Sequence, residues 1–159
     1  MKVAEILRLK GNTLYTVSPE TPLAEAVITM AERDIGSVVV MQAGRLAGML
    51  TFREVLRVLA KRQQEQRVGP TPTMAEIPVS EVMNAKPTLT DPEMSVDELR
   101  RVMNACGERY LPVIDGDTLL GVVSFHDVAR AVLEAQSFEN KMLKAYIRDW
   151  PSEEGQAGQ

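Results

Sequence analysis

The sequence predicts an α/β (α+β) fold made of two tandem copies of one unit with β-α-β-β-α order. Three observations predict it: the halves align with each other at a constant offset, each half carries a helical apolar stripe followed by two short apolar runs, and turn residues separate those runs. Met30-Ala-Glu-Arg-Asp-Ile-Gly-Ser-Val-Val-Val-Met41 falls on Met103-Asn-Ala-Cys-Gly-Glu-Arg-Tyr-Leu-Pro-Val-Ile114, an offset of 73 residues. The offset then holds without a gap, so that Leu46-Ala-Gly-Met-Leu-Thr-Phe-Arg-Glu-Val55 falls on Leu119-Leu-Gly-Val-Val-Ser-Phe-His-Asp-Val128. Gly48 meets Gly121, Phe52 meets Phe125 and Glu54 meets Asp127. Upstream, Val3-Ala-Glu-Ile-Leu7 echoes Val79-Ser-Glu-Val-Met83 at a different offset, which requires indels in the loop between. The units therefore run over 1–66 and 77–136.

Each copy begins with a short extended piece, Leu14-Tyr-Thr-Val17 or Pro87-Thr-Leu-Thr90. A helix follows, with core-facing Leu23, Ala26, Val27 and Met30 in the first copy and Val96, Leu99 and Met103 in the second. Ser95-Val-Asp-Glu98 is a capping box, and Thr21-Pro22 opens the first helix. The strands Ser37 to Met41 and Arg45 to Leu50 join through Ala43-Gly44, and Leu111 to Ile114 and Thr118 to Val123 turn at Asp115-Gly-Asp117, a hairpin signal. A closing helix places Val55, Leu56 and Leu59, or Val128, Ala129 and Val132, on one face. A chain of about 60 residues buries only roughly 60% of its unfolded surface, so the two sheets should pack on each other. Residues 67–76 read as a Pro/Gly linker, 137–150 as a separate C-terminal helix ended before Pro151, and 151–159 as a disordered tail.

The 159 residues are 45% hydrophobic, enough for an ordinary core, and carry a net charge of −4. That charge leaves no broad cationic surface for nucleic acid. No apolar run approaches the roughly 20 residues of a membrane span, and the first residues lack the apolar stretch of a signal peptide, so a soluble cytoplasmic protein is expected. The single cysteine, Cys106, and single histidine, His126, form no disulfide and no metal constellation, and no glycine-rich phosphate loop is present. Gly44, Gly48, Gly116 and Gly121 read as turn and close-packing positions.

The chemistry gathers at the start of each copy's last helix. In Ser124-Phe-His-Asp127 a hydroxyl, free backbone N–H groups and the positive helix end make an anion site. The Asp127 carboxylate can accept from both hydroxyls of a ribose, and protonated His126 can add a bond to phosphate. Thr51-Phe-Arg-Glu54 offers the same arrangement with Arg53 as a permanent cation. Thr-x-x-Glu is also a capping box and Ser-x-x-Asp a near variant of one, and neither needs a ligand. Ser124, His126 and Asp127 are too close along one helix start to form a hydrolytic relay, and no enzyme is expected.

Thr16-Val-Ser-Pro19, a helix carrying Leu23-Ala-Glu-Ala26, the strand Leu111-Pro-Val-Ile-Asp115, and Leu119-Leu-Gly-Val-Val-Ser-Phe-His-Asp127 together resemble the cystathionine-β-synthase (CBS) domain, here twice in tandem over residues 3 to 136. The first copy departs from the pattern with Val38-Val-Val-Met41 and with Glu54. The resemblance, to the bacterial stand-alone type, implies a sensor or regulatory module that binds AMP, ADP, ATP, NAD or S-adenosylmethionine between its units, needs no other cofactor, works as a homodimer and acts on a target protein. It pairs Ser124, His126 and Asp127 with Thr13, Tyr15, Gly36 and Ser37, and pairs Thr51, Arg53 and Glu54 with Lys86, Pro87, Arg109 and Tyr110. The Asp127 site ranks first, because glutamate is one methylene longer and reaches a different point. The tail stripe of Met142, Leu143, Tyr146 and Ile147 is expected to pack on a partner subunit, and an interaction scaffold with degenerate pockets remains the alternative.

Overall fold

The computed structural model describes residues 1–11, 13–65 and 76–149. In chain order these form α1 (Val3–Lys10), β1 (Thr16–Val17), α2 (Leu23–Arg33), β2 (Ser37–Gln42), β3 (Arg45–Thr51), α3 (Phe52–Glu65), a 3-10 turn at Val79–Glu81, α4 (Val96–Cys106), β4 (Tyr110–Asp115), β5 (Thr118–Ser124) and α5 (Phe125–Asp149). Residues 67–75 of the expected 67–76 linker and the tail from 151 lie outside the described residues.

Two antiparallel hairpins organise the copies. β2 pairs with β3 and β4 with β5, each with a register shift at the same relative place, between Val40 and Met41 and between Val113 and Ile114. The first hairpin turns through Ala43 (φ 52°) and Gly44 (φ 77°), the two positive angles a tight primed turn requires. β1 adds to β2 in parallel, whereas the second copy keeps only a single parallel bridge, Thr90 to Val113, where a strand was expected. The sheets thus have three and two strands, and they meet through β3 and β5.

Local chemistry accounts for most helix ends. The Ser95 hydroxyl accepts from the Glu98 N–H at 3.1 Å, one half of the expected capping box. The first helix starts differently from expectation: Pro22 is its N-cap, and the Thr21 hydroxyl turns back to accept from the Ser18 N–H at 3.0 Å. Asp34 (φ 53°) ends α2 and Gly107 (φ 70°) ends α4 in the left-handed conformation, again at equivalent positions.

The two cores exchange their first segments. Val3 and Ile6 of α1 pack with Leu99, Met103, Leu111 and Val123 of the second copy. Val79, beyond the connector, packs with Leu23, Met30, Val40 and Leu50 of the first. Val3–Leu7 and Val79–Met83 are therefore equivalent, as aligned, but each completes the other copy's core. Two glycines admit them: a Cβ at Gly48 would meet the Asn84 carbonyl oxygen at 2.7 Å and Met83 Sδ at 2.8 Å, and one at Gly121 would meet Leu7 Cδ2 at 3.0 Å.

Two expectations about helices are corrected. The separate C-terminal helix does not exist, because α5 runs unbroken from Phe125 to Asp149 with no glycine or proline between. In α3, Val55 is buried and Val58 packs on the core, but Leu56 and Leu59 are exposed. Each stands one residue on, about 100° around the helix, from the position that faces inward.

Candidate functional site

Residues from both copies line two clefts. The first, of about 180 Å³, gathers Thr13, Tyr15, Gly36 and Ser37 from one copy and Ser124 from the other. His126 and Asp127, expected beside them, are not on its wall. Asp127 is instead the closing half of a capping box: its Oδ2 accepts from the Ser124 N–H at 2.8 Å while its own N–H donates to Ser124 Oγ at 3.1 Å. The same Oδ2 lies 2.7 Å from the ammonium of Lys10, which also donates to the Val122 carbonyl at 2.8 Å. Partial burial pushes the Asp127 carboxyl up, but the Lys10 charge and the Ser124 bonds outweigh it and hold the group below the usual carboxylate value. His126 is exposed, with Nε2 3.3 Å from Arg130 Nη2. A guanidinium has no acceptor, so a hydrogen bond in this contact has the imidazole nitrogen as its acceptor. Tyr15 already carries the Arg33 guanidinium 5.4 Å above its ring.

The second cleft, of about 980 Å³, gathers Thr51, Arg53, Glu54, Pro87, Arg109 and Tyr110, six of the seven residues expected there. Lys86 is absent from its wall; its backbone N–H donates to Asn84 Oδ1 at 3.1 Å. Thr51 Oγ1 donates to Glu54 Oε2 at 2.8 Å and accepts from the Arg53 N–H at 3.2 Å, so the helix start is capped from within. The Arg53 guanidinium donates to the Gly107 carbonyl at 2.6 Å, covering the negative end of α4.

Several wall residues escaped the sequence reading. Arg57 and Lys61 follow Arg53 at successive four-residue steps along α3 and extend its cationic face, a spacing that was available to find them. Glu108 had no such signal. It accepts from Asn84 Nδ2 and from the Thr88 N–H, both at 2.9 Å. Burial raises its carboxyl, and these bonds more than reverse the effect and hold it low. Lys10 was also invisible, since only the exchange of α1 brings it to the first cleft. Tyr110 lines both clefts. Among the described residues no group of His, Cys, Asp and Glu could hold a metal ion, and no helix is long and apolar enough to cross a membrane.

Residues 4–61 and 79–134 each match the CBS domain. The chain belongs to the CBS domain family. Its two repeats make a CBS pair, a class of regulatory module. The pair is similar to the CBS domain-containing protein YhcV of Bacillus subtilis (strain 168), 34% identical over 115 residues that cover 72% of this chain and 75% of YhcV. Its fold is that of the CBS domain pair of protein MJ0100 solved with 5'-methylthioadenosine and S-adenosyl-L-methionine (19% identical, TM-score 0.69, covering 83% of this chain and 99% of that one). It is equally that of CBSX2 solved with AMP (20% identical, TM-score 0.66, covering 85% and 98%). Those CBS proteins hold adenosine-containing ligands.

Proposed function

We propose that this CBS pair is a non-catalytic sensor that binds an adenosine-containing nucleotide, AMP, ADP, ATP or NAD, between its copies and signals by a change of shape in a homodimer. One observation carries this reading: Thr51, Arg53, Glu54, Arg109 and Tyr110, from both copies, share one cleft of about 980 Å³, within the range of roughly 300–1,000 Å³ common to small-molecule sites. Arg109 and Arg57 on its wall supply cations for phosphate, and Tyr110 supplies an aromatic face for a base. The cleft of Glu54 therefore ranks above that of Asp127, the reverse of the order expected from side-chain length. Support for the homodimer comes from exposed Phe52, Leu56, Phe125 and Leu133 and from the α5 stripe that ends in Met142, Leu143 and Ile147. A nucleotide signals only through unequal affinity for two shapes of that assembly, which a target protein then reads. The cytoplasm, where such nucleotides abound, is the expected setting.

The scaffold reading has its own support, because Glu54, Asp127 and Arg53 are all engaged by internal bonds. Thermal shift and calorimetry with AMP, ADP, ATP, NAD and S-adenosylmethionine separate the two. A ligand at 100 times its Kd adds about 2.7 kcal/mol. Silence from the whole panel sinks the sensor and leaves the scaffold.

A further inference from the structure

We infer that Lys10 decides how many nucleotides a chain accepts: it occupies the ligand position of the first cleft, so only the second fills. The inference rests on the nucleotide reading above. The lysine, not the aspartate, faces the cavity: Lys10 is on the wall of the first cleft and Asp127 is behind it. The ammonium is fixed at two points, 2.7 Å from Asp127 Oδ2 and 2.8 Å from the Val122 carbonyl oxygen. A ribose presents neutral hydroxyls, and a charge-assisted bond is roughly twice as strong as the neutral bond offered in exchange. Displacing Lys10 would also take the cation from a carboxylate whose side chain is only 10% exposed and leave it the Ser124 N–H alone. The space left, about 180 Å³, is below the roughly 300 Å³ at which small-molecule sites begin.

The second cleft shows the same position without the plug. Lys10 stands three residues past Leu7, and Lys86 stands three past Met83, so the lysines are counterparts. Lys10 arrives on the eight-residue helix α1, which carries it across to Asp127. Lys86 follows a three-residue 3-10 turn and is off the cleft wall, and the carboxylate of Glu54 receives a hydroxyl from Thr51 instead.

The test counts AMP bound per chain by calorimetry and native mass spectrometry. Wild type should bind one, Lys10→Ala two, and Lys10→Arg, which keeps the cation, one. Lys10→Ser repeats the measurement should the alanine variant fold poorly. Two AMP per wild-type chain, or the same count with and without Lys10, overturns the inference. A wild type that binds none while Lys10→Ala binds one sinks the second cleft as the nucleotide site and leaves the role of Lys10 standing.

Discussion

The hydroxyl of Tyr110 lies over Gly36 so closely that a Cβ added at Gly36 would stand 1.8 Å from it and 2.6 Å from Cζ. Gly36 has no positive φ, so the glycine serves the approach of a ring from the other copy and not a turn. Gly36→Ala should push the ring aside at about 1 kcal/mol, the low end of the ~1–3 kcal/mol typical of overpacking, because the clash is with the tip of a side chain. In a Tyr110→Ala background the same substitution should cost almost nothing. A double-mutant cycle by urea unfolding reads the coupling, and additive effects would refute the contact.

Gly48→Ala should be worse than Gly121→Ala. The first meets a backbone carbonyl at 2.7 Å and the second a leucine methyl at 3.0 Å that can rotate. We expect about 2–3 kcal/mol against about 1 kcal/mol in urea unfolding. Equal losses would mean that the exchanged segments seat more loosely than described.

The Lys10–Asp127 pair makes stability depend on acid. The Asp127 carboxyl is held below its ordinary value in the folded chain, so its contribution is complete above the unfolded value of about 3.9 and disappears as pH falls through the folded one. Lys10→Ala should therefore destabilise at pH 7 and lose that difference as pH falls below the ordinary carboxylate range and through the folded value. Unfolding midpoints across that range decide it. A difference that persists there would assign the loss to something other than the charge pair.

Arg109→Ala should weaken AMP in the second cleft by about tenfold or more, from the ~1.5–3 kcal/mol of a hydrogen bond to a charged group. His126→Ala, whose ring is off both walls, should leave the affinity unchanged. Calorimetry of both variants tests the pair of statements, and a loss only in the histidine variant would move the phosphate site.

Leu133→Glu and Met142→Glu, at exposed positions of α5, should convert a dimer to monomer in sedimentation without lowering the melting point of the isolated chain by more than about 1 kcal/mol equivalent, as surface substitutions do. An unaltered dimer would place the interface elsewhere.

Much of this was legible because it is local or periodic. The Ala43-Gly44 and Gly116 turns, the Ser95 cap and the burial of Leu23, Met30, Leu99 and Met103 follow from neighbours a few residues away. Of the seven residues expected at the second cleft all but Lys86 are on its wall, whereas Arg57, Lys61, Glu108 and the apolar and polar residues beside them, Glu81 and Asn84 among these, were not read from the sequence. The first was read less well, since the pattern Ser-x-x-Asp is the same whether its carboxylate faces a ligand or closes a cap.

By itself the sequence determined that one unit occurs twice, in what order its elements come and where its chain turns, because offset, period and turn chemistry are properties of residues near one another along the chain. Only the tertiary structure decided that α1 completes the second core, that Lys10 reaches Asp127 across 117 positions of sequence, and that Tyr110 serves two clefts at once. The alignment of two similar copies is satisfied equally whether a segment packs at home or across. The choice is made by which surface has the room, and that room is a glycine on a strand of the other copy.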